Sequence, residues 1–109
     1  MAGAYPIDIH PAAGGELEYT SLGDDHAYQI PYRSLCPSGL DNALVAGRGI
    51  SATHQALAAI RVMTTSMAVG QAVGIAVALA AHLPEGPSVG SIDVQTLRSR
   101  SRDAGAHLE

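Results

Sequence analysis

Residues 61–82 read RVMTTSMAVGQAVGIAVALAAH, and this stretch decides the fold of the chain. Between Arg61 and His82 lie twenty residues without a charge, most of them alanine, valine, glycine or methionine. A helix of that length spans about 30 Å. The sequence Pro-Glu-Gly-Pro follows at 84–87, and proline and glycine end helices. The stretch therefore predicts one long Ala/Gly-rich helix.

This helix has three possible interpretations. Its length suits a membrane span, but Thr64, Thr65 and Gln71 dilute its apolarity and no lysine or aromatic belt flanks it, so we expect no span. The second interpretation is a soluble helix buried on most sides, with Gly70 and Gly74 allowing close packing. In the third, the helix N-terminus acts chemically, because its first N–H groups carry the positive end of the helix dipole.

Shorter elements are predicted on both sides of the long helix. Alternating or continuous apolar residues predict strands at Tyr5–His10, Glu16–Tyr19, Tyr28–Leu35 and Asn42–Ala46. Pro31 makes the third an edge strand or a bulged one. Asp93–Asp103 predicts an amphipathic surface helix capped by Asp93 or Ser91. The fold class is α+β: a few short strands, one long buried helix and a short C-terminal amphipathic helix.

Composition excludes several kinds of function. The 109 residues carry six arginines, no lysine and a net charge of -4, which disfavours binding to a phosphate backbone. A single cysteine, Cys36, cannot form an internal disulfide, and the N-terminus lacks a signal peptide, so we expect a cytoplasmic location. Five residues of the N-terminal segment could gather as metal ligands, but they lie in or beside turns, where solvation is the simpler interpretation: Asp8, His10, Asp24, Asp25 and His26. No metal site is predicted.

Several short motifs together resemble the C-terminal part of a bacterial FAD-dependent oxidoreductase family with a glutathione-reductase-like flavin fold. They are IPYRSL at 30–35, LVAGR at 44–48, ISATH at 50–54, RVM at 61–63 and GQAVG at 70–74, with PIDIH at 6–10 also compatible. The resemblance extends from Tyr5 to about Leu97. It implies a fragment of a Rossmann-type FAD-binding fold, with residues 1–40 ending a substrate domain and residues 41–109 forming the flavin domain's C-terminal strand and helices.

The resemblance also implies roles for individual residues. Gly47 and Arg48 would lie against the ribityl chain of FAD. The residues expected to bring a helix N-terminus to the pyrimidine edge of the flavin are Arg61, Val62, Met63 and Thr64. His54 and Arg61 are the candidate catalytic residues, with His54 on the substrate side.

The sequence departs from the family pattern in ways that limit its expected activity. Gly49, Gln55 and Ser66 stand where Cys, Glu and Cys are expected, and the 109 residues contain no GxGxxG motif. We therefore expect a segment that requires a separate N-terminal FAD-binding half, with FAD in the full-length parent and none held tightly by this chain alone. The alternative is a small non-enzymatic α+β module that self-associates through its apolar helix; a homo-oligomer is expected in either case.

Overall fold

The computed structural model describes residues 28–106 and Leu108, and the backbone of 2–3, 7–9 and 18–20. In that part of the chain four short strands precede three α-helices. The strands are β1 (Ala2–Gly3), β2 (Ile7–Ile9), β3 (Glu18–Thr20) and β4 (Tyr28–Gln29), and the helices are α1 (His54–Ile60), α2 (Met63–Ala81) and α3 (Val94–Asp103). The described part is mainly helical, and its strands have only two or three residues each.

The strands form two antiparallel pairs. β1 pairs with β4, with Gly3 opposite Tyr28, and β2 pairs with β3, with Asp8 opposite Tyr19. Two-stranded ladders are barely stable alone. The second pair gains support from α1, which lies against β2. The sequence alternation thus located β2 and β3, while β1 has too little sequence pattern to be predicted.

The predicted strand over Tyr28–Leu35 is wrong beyond Gln29. Residues Tyr32–Leu35 form a 3₁₀ turn, in which the N–H of Ser34 donates to the carbonyl oxygen of Pro31 at 3.0 Å. Pro31 has no N–H to give to a strand ladder and its φ of -70° suits the residue before a helical turn. The proline therefore ends the strand instead of only placing it at an edge.

The predicted strand over Asn42–Ala46 is also wrong. Its only backbone bond to the earlier segment in the described structure joins the N–H of Val45 to the carbonyl oxygen of Leu35 at 2.8 Å. A strand requires a neighbour that continues the ladder, and the part of the chain described here places none beside this segment. Residues 43–45 of this apolar segment are partly buried, but residues 41, 42 and 46 are exposed.

The long helix predicted from the sequence is confirmed as α2, and its inner face joins two hydrophobic clusters. The buried residues of that face are Thr65, Val69, Ala72, Ala76 and Ala80. The first cluster consists of Ile30, Leu35, Ile50, Ile60 and Val69. The second consists of Ala76, Ala80, Val89, Ile92 and Leu97. The small side chains of Ala76 and Ala80 let Val89, Ile92 and Leu97 of the second cluster approach the backbone of α2 closely.

The prediction that this helix is buried on most sides is wrong. Of its nineteen residues five are buried and nine are exposed, and the buried ones recur at helical spacing along one face, so α2 is covered on one side. Its exposed positions carry no charge: Met63, Thr64, Met67, Gly70, Gln71, Gly74, Val77, Ala78 and Ala81. By length and composition alone, α2 could cross a membrane. An 18-residue stretch of this helix has a mean hydropathy of 1.5, and 28% of that stretch is buried.

The C-terminal amphipathic helix is confirmed as α3. The carboxylate of Asp93 accepts hydrogen bonds from the N–H groups of Gln95 and Thr96 at 3.3 and 3.0 Å, as an N-cap does. Leu97 is buried against α2. At the other end of α3, the carboxamide of Gln71 donates to the carbonyl oxygen of Ala104 at 3.1 Å. α3 therefore covers part of α2 through both apolar and polar contacts.

Candidate functional site

The junction between α1 and α2 is held by a tyrosine from β4. Only Arg61 and Val62 separate the two helices. The hydroxyl of Tyr28 donates to the carbonyl oxygen of Ala59 at 2.8 Å. Burial raises the pKa of Tyr28, and a hydrogen bond from the side chain of Thr65 opposes that rise. One hydroxyl thus contacts the last turn of α1 and the first turn of α2.

The N-terminus of α2 presents backbone donors without a capping side chain. Val62 is the N-cap, and its side chain makes no cap hydrogen bond. The first helical bond runs from the N–H of Ser66 to the carbonyl oxygen of Val62 at 3.0 Å, so the N–H groups of Met63, Thr64 and Thr65 lack partners within the helix. Met63 is 82% exposed, and the first turn contains no acidic residue. The exposed N–H groups among these can donate hydrogen bonds to an electron-rich group from outside the helix.

The predicted ribityl-binding residues lie in a 3₁₀ turn, Gly47–Gly49, packed against α2. Gly47 has a φ of +67°, a conformation that glycine adopts without strain. Arg48 is exposed. A Cβ atom built on Gly49 would lie 2.7 Å from Cγ1 of Val45, so the turn leaves no room there for a side chain unless Val45 moves. The two segments predicted to contact the flavin thus belong to one packed unit.

The two candidate catalytic residues are not brought together. His54 is the first residue of α1 and Arg61 is its C-cap, so about 10 Å of helix separates them. Both residues are exposed. Thr53 caps α1 by accepting a hydrogen bond from the N–H of Ala56 at 3.2 Å. A single ligand therefore contacts both His54 and Arg61 only if it extends along α1.

Two clefts lie between elements distant in sequence, and sequence reasoning missed both. The first, here called the α1 cleft, has a volume of about 500 Å³ and is bounded by Tyr28–Pro31, Ile50–Thr53 and one side of α1. The second has a volume of about 430 Å³, lies between Tyr32–Leu35 and α3, and includes Arg33 and Arg98. No local pattern encodes either cleft, because each forms only when separate segments pack.

The described residues include no group of three or more side chains arranged to hold a metal ion. The structure does not describe the side chains considered above as possible ligands, those of Asp8, His10, Asp24, Asp25 and His26. The geometry of the described part therefore directs attention to the start of α2 and the α1 cleft.

Comparison with known proteins adds a family. A family model described as FAD dependent oxidoreductase matches residues 1–100. That span includes the Gly47–Gly49 turn, both helices of the junction and most of α3. No curated protein and no solved structure matches the chain.

Proposed function

The chain belongs to the family of FAD-dependent oxidoreductases, and from this premise we propose that it is the flavin-contacting C-terminal segment of such an enzyme, in a fold of the glutathione-reductase type. FAD is the cofactor that the family implies for full-length relatives. In this proposal the chain provides one part of the flavin site, and a second half with a GxGxxG motif holds the pyrophosphate.

The observation that carries the proposal is the uncapped start of α2. When bound, FAD supplies the electron transfer, and its reduced ring carries negative charge at the pyrimidine edge. The N–H groups of Met63 and Thr64 fit that edge, since both residues are exposed and lie at the positive end of a helix whose first turn has no acidic residue. Arg61 adds positive charge beside them. The residues present therefore suit the flavin ring of FAD, but not its pyrophosphate.

The outward face of α2 supports the proposal that a second half of the enzyme packs against this chain. A solvated helix normally carries charged residues on its outer side, whereas every exposed position of α2 is uncharged. A Cβ atom added to Gly70 or Gly74 would meet nothing within 4 Å, so no packing among the described residues explains these glycines. A glycine inside a helix lowers its stability. We infer that a second polypeptide surface approaches α2 closely along this face.

The remaining predicted residues have subordinate roles in the proposal. Gly47 and Arg48 lie along the ribityl chain, where the positive φ of Gly47 lets the backbone come close to a ligand. In this proposal His54, exposed at the start of α1, lies on the substrate side.

A titration with FAD tests the proposal. The purified chain alone should show no saturable change in flavin fluorescence up to about millimolar FAD, because the pyrophosphate-binding motif is absent. Mixed with a separately expressed GxGxxG-bearing half from the same family, it should bind FAD. Within that complex Thr64→Glu should make the flavin reduction potential more negative, since a carboxylate beside the pyrimidine edge opposes the negative charge of the reduced ring.

The matched control for that variant is Thr64→Gln, which adds similar bulk without charge. It should leave the reduction potential close to that of the unmodified complex. If Thr64→Glu and Thr64→Gln give the same potential, the start of α2 does not contact the flavin and the proposed role is wrong. Tight binding of FAD by the chain alone would instead show a complete site, assembled within one chain or between copies.

The same uncharged face favours a second candidate function, self-association of a small non-enzymatic module. α2 is about 28 Å long, and Met63, Met67 and Val77 expose large apolar side chains along it. Light scattering over a range of concentrations tests this candidate. A dimer that Gly74→Glu converts to a monomer would support it, and a monomer at every concentration would exclude it.

A further inference from the structure

Resting on the proposed function, we propose that the α1 cleft binds an uncharged, mainly apolar small molecule and that this class of molecule is the substrate. The cleft volume of about 500 Å³ lies within the range of small-molecule sites. Its walls come from three separate parts of the chain, namely β4 with the residues after it, the segment before α1, and α1 itself.

The lining chemistry selects against charge. None of the described residues that line the α1 cleft is charged. A charged ligand would lose hydration there without gaining a counter-charge, which is strongly unfavourable. Ile30, Ile50 and Ile60 provide buried aliphatic surface, and burial of apolar ligand area against such surface is the main source of affinity. The second cleft differs because Arg33 and Arg98 line it. The selection against charged ligands is therefore expected in the α1 cleft and not in the second cleft.

Hydrogen bonding in the cleft is limited, because two polar groups are already engaged. The hydroxyl of Tyr28 donates to the carbonyl oxygen of Ala59, and the hydroxyl of Thr53, the N-cap of α1, accepts from the N–H of Ala56. The hydroxyls of Ser34 and Ser51 and the carboxamide of Gln55 also line the cleft. A ligand with one or two neutral polar groups on an apolar body, such as an alcohol or a ketone with a ring, matches this lining.

The position of the cleft connects it to the proposed flavin contact. Ile60 lines the cleft, and Met63 begins α2 three residues later. Successive Cα atoms are 3.8 Å apart, so the Cα atoms of these two residues are at most about 11 Å from each other. One edge of the cleft, at Ile60, therefore lies within about 11 Å of the start of α2, although Met63 and Thr64 do not themselves line the cleft. This nearness is what makes the ligand a substrate candidate instead of an unrelated effector.

Three probes of similar shape and different charge test the cleft without flavin: benzyl alcohol, benzoate and protonated benzylamine. Backbone amide NMR of the whole chain should show saturable shifts at Ser51, Ala52 and Gln55 with benzyl alcohol, and none there with the two ions. Ala56→Leu fills the cleft from an exposed position of α1 and should weaken benzyl alcohol binding at least tenfold. Ala78→Leu, exposed on α2 outside the cleft, should leave it unchanged.

A second variant changes the specificity instead of blocking the cleft. Gln55→Glu introduces a carboxylate and should weaken benzyl alcohol binding while admitting benzylamine, whereas Gln95→Glu, exposed on α3 away from the cleft, should do neither. Benzoate that shifts the same three amides as strongly as benzyl alcohol would overturn the proposal. So would binding of benzyl alcohol that neither Ala56→Leu nor Gln55→Glu alters, and so would the absence of benzyl alcohol binding.

The outcome is independent of the flavin experiment. Binding of benzyl alcohol in the cleft together with a failed FAD complex would leave the cleft as a ligand site and remove the flavin-contacting role. The reverse result, an active FAD complex and no benzyl alcohol binding, would remove the cleft as the substrate site and retain the flavin role.

Discussion

The hydroxyl of Tyr28 donates a 2.8 Å hydrogen bond to the carbonyl oxygen of Ala59, and this contact ties β4 to the last turn of α1. The carbonyl groups in the last turn of a helix have no partner within the helix. By engaging one of them, Tyr28 fixes where α1 ends and where α2 begins. The donors proposed to face the flavin therefore depend on a residue more than thirty positions earlier in the chain.

Replacing Tyr28 with phenylalanine should destabilise the chain by about 1–2 kcal/mol, because it leaves the Ala59 carbonyl unpaired. Thr65→Val removes the other partner of the same hydroxyl. Since both changes act on one hydrogen-bond network, their effects on the free energy of unfolding should not add, with a coupling of about 0.5 kcal/mol or more. Urea unfolding of both single variants and the double variant measures the coupling; additive effects would show that Thr65 and Tyr28 act separately.

Tyr32 should make stability depend on alkaline pH. Burial first, and then the neighbouring Cys36, raise the pKa of Tyr32 from 10.0 to about 12, and its hydroxyl donates to the carbonyl oxygen of Val89 at 2.7 Å. The folded chain holds this proton more tightly than the unfolded chain. The resulting stability is therefore fully present below pH 10 and is lost as the pH rises towards about 12.

Urea unfolding at a series of pH values from neutral to alkaline measures this loss. Tyr32→Phe has no proton to release, so its unfolding midpoint should fall less steeply over the same alkaline range. Ultraviolet absorbance of tyrosinate should show one fewer late-ionising tyrosine in the variant, in which Tyr28, whose pKa burial also raises, still ionises late. An identical alkaline slope for both proteins would contradict the assignment.

Asp93 should stabilise α3 in a manner that acid removes. Hydrogen bonds from the side chain and then the backbone of Thr96, followed by the N–H of Gln95, lower the pKa of Asp93 from 3.8. A lowered folded-state pKa means that the stabilisation is present above 3.8 and is lost as the pH falls through the lower value. Asp93→Ala should therefore lower the urea midpoint at neutral pH. Asp93→Asn keeps an acceptor for the cap and should retain most of that midpoint while losing the acid dependence.

Gly70 and Gly74 should be suboptimal for the isolated chain. Open space surrounds both positions, so Gly70→Ala and Gly74→Ala should each stabilise the chain by about 0.5–1 kcal/mol through helix propensity. The same changes should weaken assembly with a GxGxxG-bearing half if that half approaches this face. Gly47→Ala is the contrasting control and should destabilise, because Gly47 has a φ of +67°. Destabilisation by either α2 change would mean that the glycine is needed within the chain itself.

Sequence patterns predicted the elements whose determinants are local. The uncharged stretch before Pro84 defined α2, and Asp93 at the start of an amphipathic segment defined α3. The segment Asn42–Ala46 failed because apolar composition does not reveal whether a neighbouring strand is present. The exposure of α2 also could not be predicted, since a helix without charges looks the same whether its second side is covered by its own chain or by another.

The candidate site shows the same division. The first turn of α2 was predicted as a set of backbone donors, because any helix start has them. Its support by Tyr28 and its nearness to the α1 cleft were not predicted, because both depend on contacts between residues far apart in sequence.

The closeness of position 49 to Val45 has a consequence for how this turn can vary. A Cβ atom at position 49 would lie 2.7 Å from Cγ1 of Val45. The two positions therefore compete for one methyl-sized space, which Val45 fills. A relative that carries a side chain such as cysteine at the position of Gly49 should therefore have a smaller residue, alanine or glycine, at the position of Val45. The two positions should change together, so substitutions in the turn beside α2 are expected to be inherited as pairs.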